Sequence, residues 1–279
     1  MVAWISLIPF EIYILFITIL FFSFKEIRPI KINKKLILLF VIALVVRMSV
    51  LHTHLIYLDE PAYSVVGKNM LLYNKAAQDV YLGSTVDFKS TKTYPGWSFV
   101  LSIAYFLFGI SDKVAINLTA LIGSLTVFLV FILSKRLFMK ESIALWSVFI
   151  FALLPLHVIW SAASDTIIFA IFLTLLLLII RDKLLTALLF GFLIQTRPDY
   201  IFIFPLILLY WFLFDKIKIL PFLVLIPIIP FYLYSLLSIP DSLQAGSYLE
   251  ILSFTDTQFY RYSVCDYARN IIYRNFCST

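Results

Sequence analysis

An all-α, polytopic membrane bundle is the fold class this sequence predicts, on three observations. Hydrophobic residues make up 62% of the chain, charged residues only 14%, and the mean hydropathy is +1.00; soluble domains carry far less apolar residue content. The apolar residues fall in runs at about 3–24, 36–54, 94–110, 114–134, 142–160, 164–180, 184–198, 199–215 and 218–238. Most of these approach the ~20 residues that a helix needs to cross a bilayer. Lys and Arg gather in short clusters between the runs, as they do in cytoplasmic loops.

Taken in order, the first run lacks a basic leader and a small-residue cleavage site, so it is expected to stay as a helix rather than be cleaved as a signal. The basic clusters are Lys25–Lys35, Lys135-Arg136 with Lys140, Arg181 with Lys183, and Lys216 with Lys218. If every run crossed, Lys135-Arg136 and the loops after it would be delivered to the outside. Run 94–110 is the weakest: it is short, opens Tyr94-Pro95-Gly96-Trp97 and is followed by Ser111-Asp112-Lys113. It is therefore assigned to an interfacial or re-entrant helix with an aromatic anchor. Eight crossings remain, with both termini external and all four basic clusters on the cytoplasmic side. Without internal repeats or Gly/Ser linkers, the chain is expected to be one transmembrane domain over 1–238 and a small external tail over 239–279. The formal charge of +6 sits in the clusters that set orientation, so nucleic acid is not an expected partner. Cys265 and Cys277 both lie in the tail, where an oxidising compartment would allow one disulfide.

The external loop 55–113 is far longer than an ordinary connection, which marks it as functional or partly structured. It opens with Tyr57-Leu58-Asp59-Glu60-Pro61-Ala62-Tyr63. Two adjacent acids beside hydrocarbon are costly unless they face water, a metal or a reacting group. Pro61 suits a first helical turn, and Val65, Val66, Met70, Leu71 and Leu72 suit a helix over 62–74 lying along the interface. Asp59 and Glu60 then stand at its N-terminus, ionised and pointing at solvent. The topology brings Asp165, Arg197 and Asp199 to the same face. A site joining a lipid phosphate to a nucleophilic hydroxyl needs a cation or metal for the phosphate and a carboxylate for the hydroxyl proton. This set supplies both.

Each of these residues also has a plainer reading. Asp59-Glu60 can be a solvated helix-start pair, Asp165 a cap for a helix beginning at Thr166, and Arg197 an anchor at lipid headgroups. Arg47 lies about two turns from the external end of its run, so snorkelling to the interface competes with phosphate binding. His52 and His54 precede the acids but give only a weak metal-ligand signal, and Glu11 suggests a helix-facing contact, a protonated carboxyl or a place near the external interface. The sequon Asn117-Leu118-Thr119 lies too close to the membrane for glycosylation.

Several motifs in order resemble the opening module of GT-C glycosyltransferases: Arg47, Leu58-Asp59-Glu60-Pro61-Ala62-Tyr63, Tyr94-Pro95-Gly96-Trp97 and Leu107-Phe108-Gly109. Ser134-Lys135-Arg136-Leu137-Phe138, Leu154-Pro155-Leu156-His157 leading to Ser164-Asp165, and Gly191 with Arg197-Pro198 continue the likeness over roughly residues 36–215. The nearest group is that of the protein O-mannosyltransferases and aminoarabinose transferases, glycosyltransferase family 39. The resemblance implies Asp59 as general base, Glu60 as its partner or a metal ligand, and Asp165 as the second-loop acid. It further implies a polyprenyl- or dolichyl-phosphate sugar donor and a lipid, glycan or protein acceptor.

The expectation is thus a multi-pass glycosyltransferase, with its active site on the external face of a prokaryotic plasma membrane. Asp59, Glu60 and Asp165 are the expected catalytic residues, and Arg197, Arg47, Tyr63 and Tyr94 the substrate-binding ones. A divalent metal (Mg, Mn or Zn) on Glu60 and Asp165 is the expected cofactor if there is one. Relatives usually continue through more helices, which suggests that acceptor selection is reduced or is supplied by a partner subunit. The rivals are a transporter or flippase for a lipid-linked sugar and a non-catalytic subunit of a membrane complex.

Overall fold

The computed structural model describes residues 33–51, 54–55, 59–73, 78–82, 85–89, 95–180, 183–197 and 199–200. They form eight helices and one two-stranded hairpin. In chain order these are α1 (Lys34–Ser49), α2 (Glu60–Tyr73), β1 (Gln78–Leu82), β2 (Thr85–Lys89), α3 (Pro95–Phe108) and α4 (Asp112–Phe138). They are followed by α5 (Glu141–Leu153), α6 (Pro155–Ser161), α7 (Thr166–Ile179) and α8 (Lys183–Thr196). The all-α class holds apart from the hairpin, which the sequence reading did not contain. The runs 3–24 and 218–238, the boundary at 238/239, Glu11, His52, Tyr94, Cys265 and Cys277 lie outside the described residues.

Local chemistry sets the helix ends. The Asn33 side chain accepts from Leu36 N at 2.8 Å and starts α1. Ser111 does the same for α4 through Val114 N at 3.3 Å, satisfying amides that have no partner in the first turn. Met139 ends α4 in the left-handed region at φ 56° and gives its N–H to Lys135 O. Run 142–160 is not one straight helix. Pro155 has no N–H to continue the ladder, so α5 and α6 meet at a 57° bend.

Among the described residues α4 alone is a single helix long and apolar enough to cross a membrane; the bent α5–α6 pair meets the same test if counted as one span. α3 and α7 are apolar but shorter, at 14 residues each, or about 21 Å at 1.5 Å per residue. Each helix as described therefore falls short of a ~30 Å hydrocarbon core. For α3 an interfacial or re-entrant helix with an aromatic anchor was expected; Trp97 is not an anchor at the interface, because Pro95 through Leu101 are buried inside the bundle.

Two apolar clusters hold the helices together. The larger joins α2, α3, α4, α7 and α8, with Trp97 against Phe169 at 5.4 Å and Phe192 meeting Phe169 and Phe99 edge-on at 5.8 and 6.4 Å. The smaller joins α1, α4 and α5 through Ala43, Val127, Ala144, Val148 and Ala152, whose small size lets the backbones approach. Outward-facing residues on the same helices are also large and apolar, among them Val45, Trp146 and Ile150.

The two ends of α4 carry opposite chemistry. At its C-terminus, Lys135 lies 3.9 Å from Glu141, Asn33 donates to Glu141, and Arg136 donates to Ile179 O, so the starts of α1 and α5 and the end of α7 meet there. At its N-terminus, Asp112 lies 3.8 Å from His54, on the side where the loop leading to Asp59 begins. About 40 Å of helix separates the ends.

Gly123 on α4 is the closest approach in the bundle's centre. A Cβ there would lie 2.4 Å from Ser161 Oγ and 3.2 Å from Arg47 Nε. Gly123→Ala is expected to lower stability by about 1–3 kcal/mol through overpacking. Most of that should return in a Ser161→Gly background, as thermal unfolding in detergent would reveal.

Candidate active site

The start of α2, the turn between α6 and α7, and the end of α8 converge on one place. Asp59 stands immediately before α2, with Tyr63 N bonded to its carbonyl at 3.1 Å. Its side chain is exposed, whereas the neighbouring Glu60 is buried and accepts the backbone N–H of Ser164. A helix turns about 100° per residue, so adjacent acids at a helix start face different ways. Glu60 does not point at solvent as expected. It reaches across to fix the turn that carries Asp165.

Asp165 caps α7: its Oδ1 accepts from Thr166 N and, at 3.0 Å, from Thr166 Oγ1. The plainer reading of this residue holds, and capping leaves the carboxylate on the same face as Asp59. Tyr63, on α2, is buried, and its hydroxyl hydrogen-bonds the Thr166 side chain. Arg197 follows α8 and donates from Nε to Asp199 Oδ1 at 3.1 Å.

The electrostatics show which groups sense one another. Loss of surrounding water raises the Asp59 pKa above the ordinary carboxylate value; Asp165 raises it further and Arg197 opposes both. Tyr63 is raised by burial first, then by Asp165 and Asp59. Burial acts to lower the Arg197 pKa, but the hydrogen bond and charge of Asp199, with Asp165 and Tyr200, raise it overall. Asp59, Asp165, Tyr63 and Arg197 therefore form one electrostatic group, drawn from positions far apart in the sequence. An exposed carboxylate of elevated basicity beside a fixed guanidinium can accept a proton while an anion is held nearby.

Arg47 is not part of this group, nor does it snorkel. It is fully buried, and its guanidinium donates to Ala43 O, Ala152 O, Ser161 Oγ and His157 Nδ1. The metal reading fits poorly. One Glu60 oxygen already takes a backbone amide, and Asp165 Oδ1 takes two helix-start donors. Among the described residues no three of His, Cys, Asp and Glu are grouped to share a metal, and His54 is directed to Asp112. Sequence reasoning missed Trp97, whose Nε1 donates to Ser164 O at 3.1 Å. An aromatic at the start of an apolar run looks the same whether it anchors at lipid or plugs a core. No family model and no curated protein matches the chain.

Proposed function

We propose that this chain is a multi-pass membrane glycosyltransferase of GT-C type. It transfers one sugar from a polyprenyl- or dolichyl-phosphate carrier to an acceptor hydroxyl or amine at the external face of a prokaryotic plasma membrane. The observation that carries the reading is the convergence of Asp59, Asp165 and Arg197 from three separate elements at the acidic end of the bundle. The basic loops at the other end of α4 fit the cytoplasmic side. Eight crossings accommodate this arrangement, with α3 contained inside the bundle.

In the transfer, Asp59 takes the proton of the acceptor as its oxygen or nitrogen attacks the anomeric carbon. The bond from that carbon to the phosphate oxygen breaks on the opposite face, and the electron pair leaves with the lipid phosphate, so configuration inverts. Arg197 offsets the charge on the departing phosphate, and Asp199 holds its guanidinium in place. Asp165 keeps Asp59 basic enough to act, and Tyr63 lies within electrostatic reach of both acids. No step is assigned to a metal.

The test is transfer of labelled sugar from a panel of lipid-phosphate sugars by the purified chain in lipid, with the anomeric configuration of the product determined. A flippase is the second reading, because the 57° break between α5 and α6 is the kind of interrupted helix transporters use. Translocation of the lipid without cleavage would establish it. Activity only after adding a second membrane protein would instead assign the chain to a complex.

The same site sets a pH dependence. Asp59 works deprotonated and its pKa is raised, so transfer should rise with pH through a limb lying above the ordinary carboxylate range. Asp165→Asn removes a neighbouring negative charge and should move that limb to lower pH. Arg197→Gln removes the opposing positive charge and should move it to higher pH. Profiles of kcat/KM against pH for the three proteins check both signs.

A further inference from the structure

The three elements of the candidate site share one support. Each element that carries a site residue is registered on the first turn of α3. A Cβ on Gly96 would lie 2.5 Å from Thr196 Oγ1, 2.9 Å from Thr196 N and 3.0 Å from Gln195 C, so the end of α8 rests directly on the α3 backbone, one residue before Arg197. Trp97 Nε1 donates to Ser164 O at 3.1 Å, one residue before Asp165, while its ring packs on Phe169 of α7. A Cβ on Gly67 of α2 would lie 2.8 Å from Ser98 O, which seats the helix that Asp59 begins against the same turn. Glu60 closes the circle from α2 to Ser164 N. The turn is wholly buried, so it can act on the site only through these contacts.

We infer that Gly96 and Trp97 are positioning residues: the first turn of α3 is the gauge that sets the spacing of Asp59, Asp165 and Arg197, Trp97 holding the acid and Gly96 holding the arginine. Neither residue touches substrate. This deepens the transfer reading and rests on it for the role of Asp59, but the gauge itself is a geometric property that can be measured without turnover.

The two contacts act on Asp59 with opposite signs. Asp165 and Arg197 are the charged groups that act on it, with Tyr63 and Glu60 beside it on α2 and Asp199 paired to Arg197. Trp97→Phe removes the donor to Ser164 O and keeps an aromatic plug, loosening the turn that carries Asp165. Gly96→Ala drives the end of α8 outward and takes Arg197 with it.

The experiment is an infrared titration of the full chain in lipid nanodiscs, following the carboxyl band that disappears in Asp59→Asn. The midpoint of that band should move to lower pH in Trp97→Phe and to higher pH in Gly96→Ala, with helix content by circular dichroism unchanged. Destabilisation alone would move both variants the same way or neither, and either result in folded protein overturns the inference. If Gly96→Ala does not accumulate, Trp97→Phe decides alone by the direction of its shift. In transfer assays Trp97→Phe should lower kcat by roughly 10²-fold, the scale of a 1 Å misplacement, and Gly96→Ala should mainly raise the KM for the phosphate donor. Opposed shifts without sugar transfer by any form would leave the gauge standing and remove the transfer reading. Asp59-dependent transfer without shifts would do the reverse.

Discussion

Asp59→Asn should reduce sugar transfer by about 10²–10⁴-fold, the usual cost of losing a general base, while leaving the protein folded and the donor bound. The substitution keeps size and helix-start geometry at an exposed position, so stability should change little. The loss belongs in kcat and kcat/KM alike, because the proton is accepted only as the acceptor attacks. Glu60→Gln separates the two adjacent acids. Its amide oxygen can still accept from Ser164 N, so activity should fall by less than in Asp59→Asn, and the residual activity should keep its pH limb. Single-turnover transfer of radiolabelled donor by each variant measures both effects. Near-normal turnover of Asp59→Asn would remove the assignment of the base.

How much of this was legible in the sequence depends on how local each cause is. α1, α3, α4, α7 and α8 follow the apolar runs, and Pro61 and Thr166 mark helix starts by residue chemistry alone. The gathering of Asp59, Asp165 and Arg197 was also legible, because the sidedness of the basic clusters forces their loops to the same face. Which of two neighbouring acids faces outward was not legible. It depends on Ser164 N, 104 positions away, meeting Glu60 and not Asp59. The hairpin did leave a signal, in Val80 and Leu82, then Val86 and Phe88, alternating on either side of Gly83-Ser84. Pro155 likewise stood in plain view within run 142–160 and marks the bend there, because proline interrupts the backbone ladder; the bent pair still meets the test for one span. The role of Trp97 left no such mark, since its partner is a carbonyl supplied by another helix turn.

Arg47 offers the second large effect, and it falls on stability. Its four polar partners come from α1 itself, from the last turn of α5, and from α6. Pro155 ends the α5 ladder, leaving Ala152 O without its usual amide four residues on, and the guanidinium supplies the missing donor at 3.2 Å. The contact from Nη2 to His157 Nδ1, at 2.8 Å, requires that nitrogen to be the acceptor, which puts the ring proton of a neutral His157 on Nε2. Arg47→Ala leaves Ala43 O its helix amide but strands the acceptors on Ala152, His157 and Ser161, and opens a cavity facing Gly123. At about 1–3 kcal/mol for each unsatisfied group, partly relieved by rearrangement, the net loss should be about 3–5 kcal/mol. Arg47→Lys keeps a charge but too few donors for all four partners, and should fall between. Unfolding in detergent, monitored by tryptophan fluorescence, gives the stabilities, and donor KM measured on the surviving folded protein tests the placement. Because the guanidinium is sealed inside the bundle, KM should not change. A large rise in KM with little loss of stability would return Arg47 to the phosphate site, whereas the opposite pattern identifies it as the brace that lets a proline-broken helix pack inside the bundle.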